Sequence, residues 1–180
     1  VLVRRVSPRF CFSHPITGDS HMTSYSSMAH YDKSVAKNGK YIPVERYTDE
    51  YCKALTENYK QETMRSYERS ISRGDSAEYF GERLLEILKG EANLRRYRYT
   101  EGKKYFKVVA EEFDTFQDRN EWRDTTVHAF VDKVTGEVYK PAGWAKPAKH
   151  VRYDFRRDRD REFLHDYRNV GWAGGYLYMR

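Results

Sequence analysis

The sequence predicts an α+β fold in which a helix hairpin packs with a small three-stranded antiparallel sheet, followed by a C-terminal helix and a closing tail. Three observations predict it. Apolar and aromatic residues recur at helical spacing from Thr48 to about Gly90, the period shortens to a strand-like one after Arg98, and an arginine-rich run with apolar Phe163, Leu164 and Tyr167 follows the last proline. The length of 180 residues suits one domain with one core.

Residues 1–47 lack sustained periodicity and are broken by Pro8, Pro15, Gly18, Gly39 and Pro43, which reads as an extended or partly disordered arm before a single domain over 48–180. The chain opens on Val1, and composition shifts at Met22, so Met22 is expected to serve as an alternative start with residues 1–21 dispensable. Intact-mass analysis of native protein beginning at residue 1 would overturn that expectation. Thr48 can cap a helix whose first turn holds Asp49 and Glu50, where carboxylates favour the helix dipole. Tyr51, Leu55, Tyr59, Tyr67 and Ile71 form one face, and Gly74 ends it. Asp75 and Glu78 resemble a capping box opening a second helix with Phe80, Leu84, Ile87 and Leu88 along its apolar stripe.

Three strands are expected next: Lys104 to Phe113, Val127 to Asp132 and Glu137 to Lys140, the last two joined by a turn at Thr135-Gly136. Pro141 and Pro147 are expected to stop the sheet, leaving WAKPAK as a loop. Phe155 to Tyr167 reads as the final helix, and Tyr176 to Met179 as an edge strand or a segment docked on the sheet.

Sixteen tyrosines, nine phenylalanines and three tryptophans mean that much of the core is built from rings with polar tips, a composition foreign to disordered chains. The net charge of +6 suits a polyanionic partner without requiring one. It conceals blocks: net +5 over Lys89 to Lys107, −4 over Glu111 to Asp124 and +4 over Lys140 to Arg168. No membrane span or signal-peptide pattern is legible. Two cysteines, Cys11 and Cys52, make neither a disulfide framework nor a zinc spacing, so a reducing cytoplasm is the expected compartment.

Two segments carry candidate binding chemistry. In LRRYRYTEGKKYFK, the cations Arg95, Arg96, Lys103 and Lys104 alternate with rings, the pairing that holds single-stranded nucleic acid by phosphate contact and base stacking. The alternative is a solvated linker whose arginines pair with the following acidic block. In VYKPAGWAKPAKHVRYDF, Trp144 stands among Lys146, Lys149 and Arg152 on a proline-stiffened loop that can present an anchor to a partner. Equally, Trp144 can fold back over the open face of the sheet. RRDRDRE from Arg156 to Glu162 reads as a solvated helix face laced by ion pairs.

Catalytic readings are poorer. Asp132, Glu137 and Lys140 resemble a metal-nuclease arrangement only loosely, because Glu-x-x-Lys puts its two side chains on opposite strand faces. His150 and His165 with Asp154, or His128 with Asp124, match no ligand spacing. No catalytic residue, cofactor or metal is therefore assigned.

Phe130, Val131, Thr135, Gly136, Val138 to Lys140, Ala142, Trp144, Pro147 to Lys149 and Arg152, then Gly175 to Tyr178, together resemble small accessory proteins of tailed bacteriophages. The resemblance covers residues 127–180, implies a phage origin and a role inside the infected cell, and carries no activity. The expected function is a non-enzymatic protein that binds a host or phage macromolecule through a basic, aromatic surface. Its alternatives are a single-stranded nucleic-acid binder, a protein-partner module such as a host-enzyme inhibitor or structural subunit, and a metal-dependent hydrolase.

Overall fold

The computed structural model describes residues 42–178. In chain order these form α1 (Val44–Ser72), α2 (Ala77–Lys89), β1 (Arg96–Glu101), β2 (Tyr105–Asp114), β3 (Glu121–Asp132), β4 (Glu137–Pro141), β5 (Pro147–Asp154) and α3 (Asp158–His165), with 3-10 turns at Phe116–Asp118 and Gly175–Leu177. The expected α+β class is right. The sheet is larger than expected, having five strands in the order β1-β2-β3-β4-β5, each antiparallel to its neighbour.

The two extra strands come from segments that composition disguised. β1 lies in the basic block: Tyr97 is buried and Tyr99 packs against the core, while Arg96 and Arg98 face away, so the period-2 alternation was written in charged and aromatic letters. β5 begins at Pro147 and pairs with β4, where Pro141 sits opposite Pro147. The two prolines therefore face each other across a ladder rather than stopping it. This is tolerable because β5 is an edge strand and needs donors on one side only.

Most of the expected arm, through Tyr41, lies outside the described residues. Its end is corrected, because α1 starts at Val44, directly after Pro43. Thr48 is consequently not a cap but a buried interior residue whose hydroxyl donates back to the Val44 carbonyl at 2.8 Å. Val44, Thr48, Tyr51, Cys52, Leu55 and Asn58 make the buried stripe of this helix, and burial then lapses until Ser70. A helix of 29 residues is about 44 Å long, so its N-terminal half lies on the sheet and its C-terminal half carries α2 beyond it.

The helix hairpin exists, but it packs with the sheet through α1. Within α2 only Ile87 is buried, and the Phe80 ring meets Tyr67 of α1 at 5.5 Å. The capping box is absent: Ser76 holds the N-cap position at φ 36° without a side-chain cap bond, and Asp75 instead pairs with Arg73 at 3.3 Å. At the C-terminal end α3 is shorter than Phe155–Tyr167, since Asp154 accepts the Arg156 amide and turns the chain before Asp158.

The core fills one face of the sheet. Phe106, Val108, Ala110, Ala129, Val131 and Val138 meet Tyr51 and Leu55 from α1 and Leu164 from α3. The tail closes the remaining side, with Val170 and Leu177 buried. Asn58 clamps it: the side-chain amide donates to the Tyr167 carbonyl at 2.8 Å and accepts the Trp172 amide at 2.8 Å. The β3–β4 turn is tight because the Asp132 carboxylate accepts the Val134 and Thr135 amides, at 2.9 and 3.0 Å. Gly136 follows at φ +72°, where an added Cβ would stand 3.0 Å from Ile42 and 3.2 Å from Phe155.

Candidate functional site

Backbone alternation divides the candidate residues between the two faces of this sheet. Arg96 and Arg98 of β1 point to the side opposite α1, where both reach the Glu111 carboxylate of β2, at 2.8 and 2.6 Å. Arg98 also contacts Asp124 at 2.7 Å, and the Arg96 guanidinium lies 3.9 Å from the centre of the Trp122 ring. Farther along the same face come Lys107, Phe130 and Tyr139, which are aligned across β2, β3 and β4. Tyr105 packs edge-on against both Phe130 and Tyr139. Among the described residues no helix covers this face.

Trp144 completes it. The loop between β4 and β5 turns back, the Ala142 amide donating to the Lys146 carbonyl at 2.9 Å, and Trp144 sits 4.8 Å from the Lys107 ammonium. Its ring covers part of the open face, yet 49% of the residue remains accessible. Trp144 thus folds back toward the sheet and keeps an exposed edge.

The eight residues singled out from the sequence do not form one surface. Arg96 and Trp144 share the open face. Lys103 and Lys104 lie in the β1–β2 turn beside the β3–β4 turn, where the Lys133 amide donates to the Lys104 carbonyl at 3.0 Å. Lys104 is 3.6 Å from Asp132. Lys146 and Lys149 are exposed at the other end of β4 and along the edge strand. Two residues belong to the helix-covered side and correct the single-surface expectation. Arg95 pairs with Glu112 and stacks between Tyr59 and Trp172, while Arg152 donates from Nε to the Leu177 carbonyl at 2.7 Å. Adjacent residues on a strand face opposite ways, so Arg95 and Arg96 could not act together.

Sequence reasoning overlooked Arg98, Lys107, Trp122 and Tyr139. The alternation of Arg96-Tyr97-Arg98-Tyr99 was the available signal for the first, while the rest needed the strand register. Charge on the open face is held in place. Burial alone would raise the Glu111 pKa, but hydrogen bonds and charge from Arg98 and Arg96 outweigh it and hold the carboxyl below its ordinary range.

Beneath the sheet lies a second polar group. The Tyr176 hydroxyl hydrogen-bonds to Tyr51 and, at 2.8 Å, to His128 Nε2. Burial, with Arg95 nearby, drives the His128 pKa from its ordinary 6.5 to about 3, so the ring is neutral. Burial likewise raises the phenol pKa of both tyrosines and that of the Cys52 thiol. The group ties α1, β3 and the tail together, with Tyr51 and His128 buried and Tyr176 half-buried. The histidine–carboxylate pairings set aside on their spacing do not form among the described residues. His128 faces the core while Asp124 faces away, His165 contacts Glu50 and the Tyr47 carbonyl, and Asp154 is taken by Arg156. Asp132 caps its turn, and Glu137 accepts Tyr139 and Arg156. Among the described residues no three His, Cys, Asp or Glu side chains converge as metal ligands, and no helix is long and apolar enough to cross a membrane.

Fold and site together define an α+β protein with a five-stranded antiparallel meander, covered by helices on one face and carrying ordered cations and rings on the other. Residues 28–179 match the family of unknown function DUF7717, and the chain belongs to that family. No curated protein and no solved structure matches it.

Proposed function

We propose that this is a non-enzymatic binding protein, phage-encoded and acting inside the infected cell, that engages a macromolecule through the open face of its sheet, with single-stranded nucleic acid as the favoured partner. The observation that carries the reading is Trp144, half exposed above Lys107 on a face that also holds the Arg96–Trp122 stack. Rings at a sheet surface offer every base a stacking partner, and lysines at the rim offer the backbone counter-charges. Lys103, Lys146 and Lys149 are exposed at that rim. The resemblance of residues 127–180 to phage accessory proteins supports the origin, and it includes Trp144 and Lys149.

The test is a fluorescence-anisotropy titration with labelled single-stranded DNA, single-stranded RNA and duplex DNA at two salt concentrations. The expected result is preference for a single strand, an affinity that falls steeply with salt, and a loss of about 5–100-fold for Trp144→Ala, the scale of one stacked base. Lys146→Ala with Lys149→Ala should lower the salt slope. Absence of binding to all three at low salt overturns the nucleic-acid reading.

One observation favours a protein partner instead. Arg96 and Arg98 are already neutralised by Glu111 and Asp124, which weakens the field available to a polyanion. That partner would show little salt dependence, with Trp144→Ala as the dominant loss.

A further inference from the structure

The outer flank of α2 belongs to no part of the fold described so far. Ile87 is buried and Phe80 meets Tyr67 of α1, but Leu85 and Leu88 are 51% and 62% exposed. They fall in one row with Gly81, at spacing i, i+4 and i+7, so the apolar arc of α2 extends beyond its contact with α1. An added Cβ at Gly81 would meet nothing within 4 Å. Glycine inside a helix is unfavourable relative to alanine, and here it leaves a notch beside two exposed leucines.

The charges along this row are self-complementary. Glu78, Glu82, Leu85 and Lys89 follow one another at i, i+4, i+7 and i+11, acidic toward the N-terminus and basic at the C-terminus. Among the described residues Glu78, Glu82 and Lys89 have no ion-pair partner, whereas Arg83 and Glu86 on the other side of the helix pair with each other at 2.8 Å. Let a second α2 lie antiparallel about a two-fold axis at Leu85. Lys89 of each copy then falls opposite Gly81 of the other, between Glu78 and Glu82. Leu85 meets its own counterpart, and the notch admits the lysine stem. A surface that fits its own copy in this way is the requirement of a two-fold interface.

We infer that the α1–α2 hairpin is a self-association element, through which two copies of the chain pair by antiparallel contact of α2. The open sheet face stays free in such a dimer, so the inference stands apart from the proposed ligand.

Sedimentation equilibrium of the full chain tests it. A concentration-dependent monomer–dimer equilibrium is expected, with Leu85→Glu and Leu88→Glu each giving monomer while circular dichroism and the melting temperature stay unchanged, as befits exposed positions. Lys89→Glu should weaken the dimer about tenfold, and mixing it with the Glu78→Lys, Glu82→Lys double variant should restore association as a heterodimer. Trp144→Ala should leave the dimer constant unmoved. A wild-type chain that stays monomeric at several hundred micromolar overturns the inference and leaves the leucines to a different protein. A dimer that survives Leu85→Glu overturns it as well.

Discussion

The two faces of one sheet are built by opposite rules. On the covered face Phe106, Val108, Ala129, Val131 and Val138 meet α1, α3 and the tail, and buried polar groups are tied off in the Tyr51–Tyr176–His128 chain and the Asn58 clamp. On the other face the same strands carry Arg96 and Arg98, half-exposed around a buried Glu111 carboxylate, with Trp122 against Arg96 and Lys107 against Trp144. The covered face keeps its free energy in area removed from water and in hydrogen bonds that no solvent replaces. The open face spends little on stability, because half-exposed ion pairs contribute about 1 kcal/mol or less. That difference teaches where function has room to sit: side chains whose loss costs little folding energy can be committed to a partner.

The sharpest way to break the comparison is truncation. Phe106→Ala on the covered face should lower unfolding free energy by about 3–5 kcal/mol, read by chemical denaturation, since it removes a fully buried ring and leaves a cavity. Trp144→Ala on the open face should cost less than about 1 kcal/mol. Equal losses for the two would mean that Trp144 is a core residue and the open face is not open.

Acid should act on the covered face first. Because the His128 pKa is about 3 in the fold against 6.5 ordinarily, the unfolded chain takes up that proton first. Stability is therefore complete above about pH 6.5 and falls as pH drops toward 3, at up to about 1.4 kcal/mol per unit for this one group. Burial lowers the His165 pKa too, and its loss runs in the same direction. Between pH 6.5 and 5 the carboxylates scarcely titrate, so His128→Gln should flatten the slope there. An unchanged slope would place the titrating group elsewhere.

The Asn58 clamp should come next in size. Asn58→Ala leaves the Tyr167 carbonyl and the Trp172 amide without their partner, for a loss of about 1–3 kcal/mol and faster amide exchange at Trp172. A loss no larger than at Asn58, about 1–2 kcal/mol, is expected for Glu111→Gln, but it should sharpen the functional contrast. Freed from a shared carboxylate, Arg96 and Arg98 would make the open face more basic and tighten polyanion binding. Weaker binding instead would show that Glu111 holds the arginines in their working positions.

Much of the framework was legible. The stripe from Tyr51 to Leu55, the glycine ends of both helices, the Thr135-Gly136 turn and the three central strands follow from spacing and turn chemistry, which are local. The misses have local causes as well. β1 hid because its outward letters are arginines, β5 because two prolines suggest an end where an edge strand tolerates them, and the helix start because Pro43 outranked Thr48.

Sequence alone determined which residues are amphipathic, at what period, and where the chain turns, because those properties depend on side chains only a few positions apart. Which cations can act together was decided by tertiary structure alone. Arg95 and Arg96 are neighbours in the chain yet lie on opposite sides of the sheet, while Lys107 and Trp144 are far apart in sequence and meet at 4.8 Å. Strand alternation separates the first pair, and the return of the β4–β5 loop over β2 joins the second. Neither relation exists until the strands are in register.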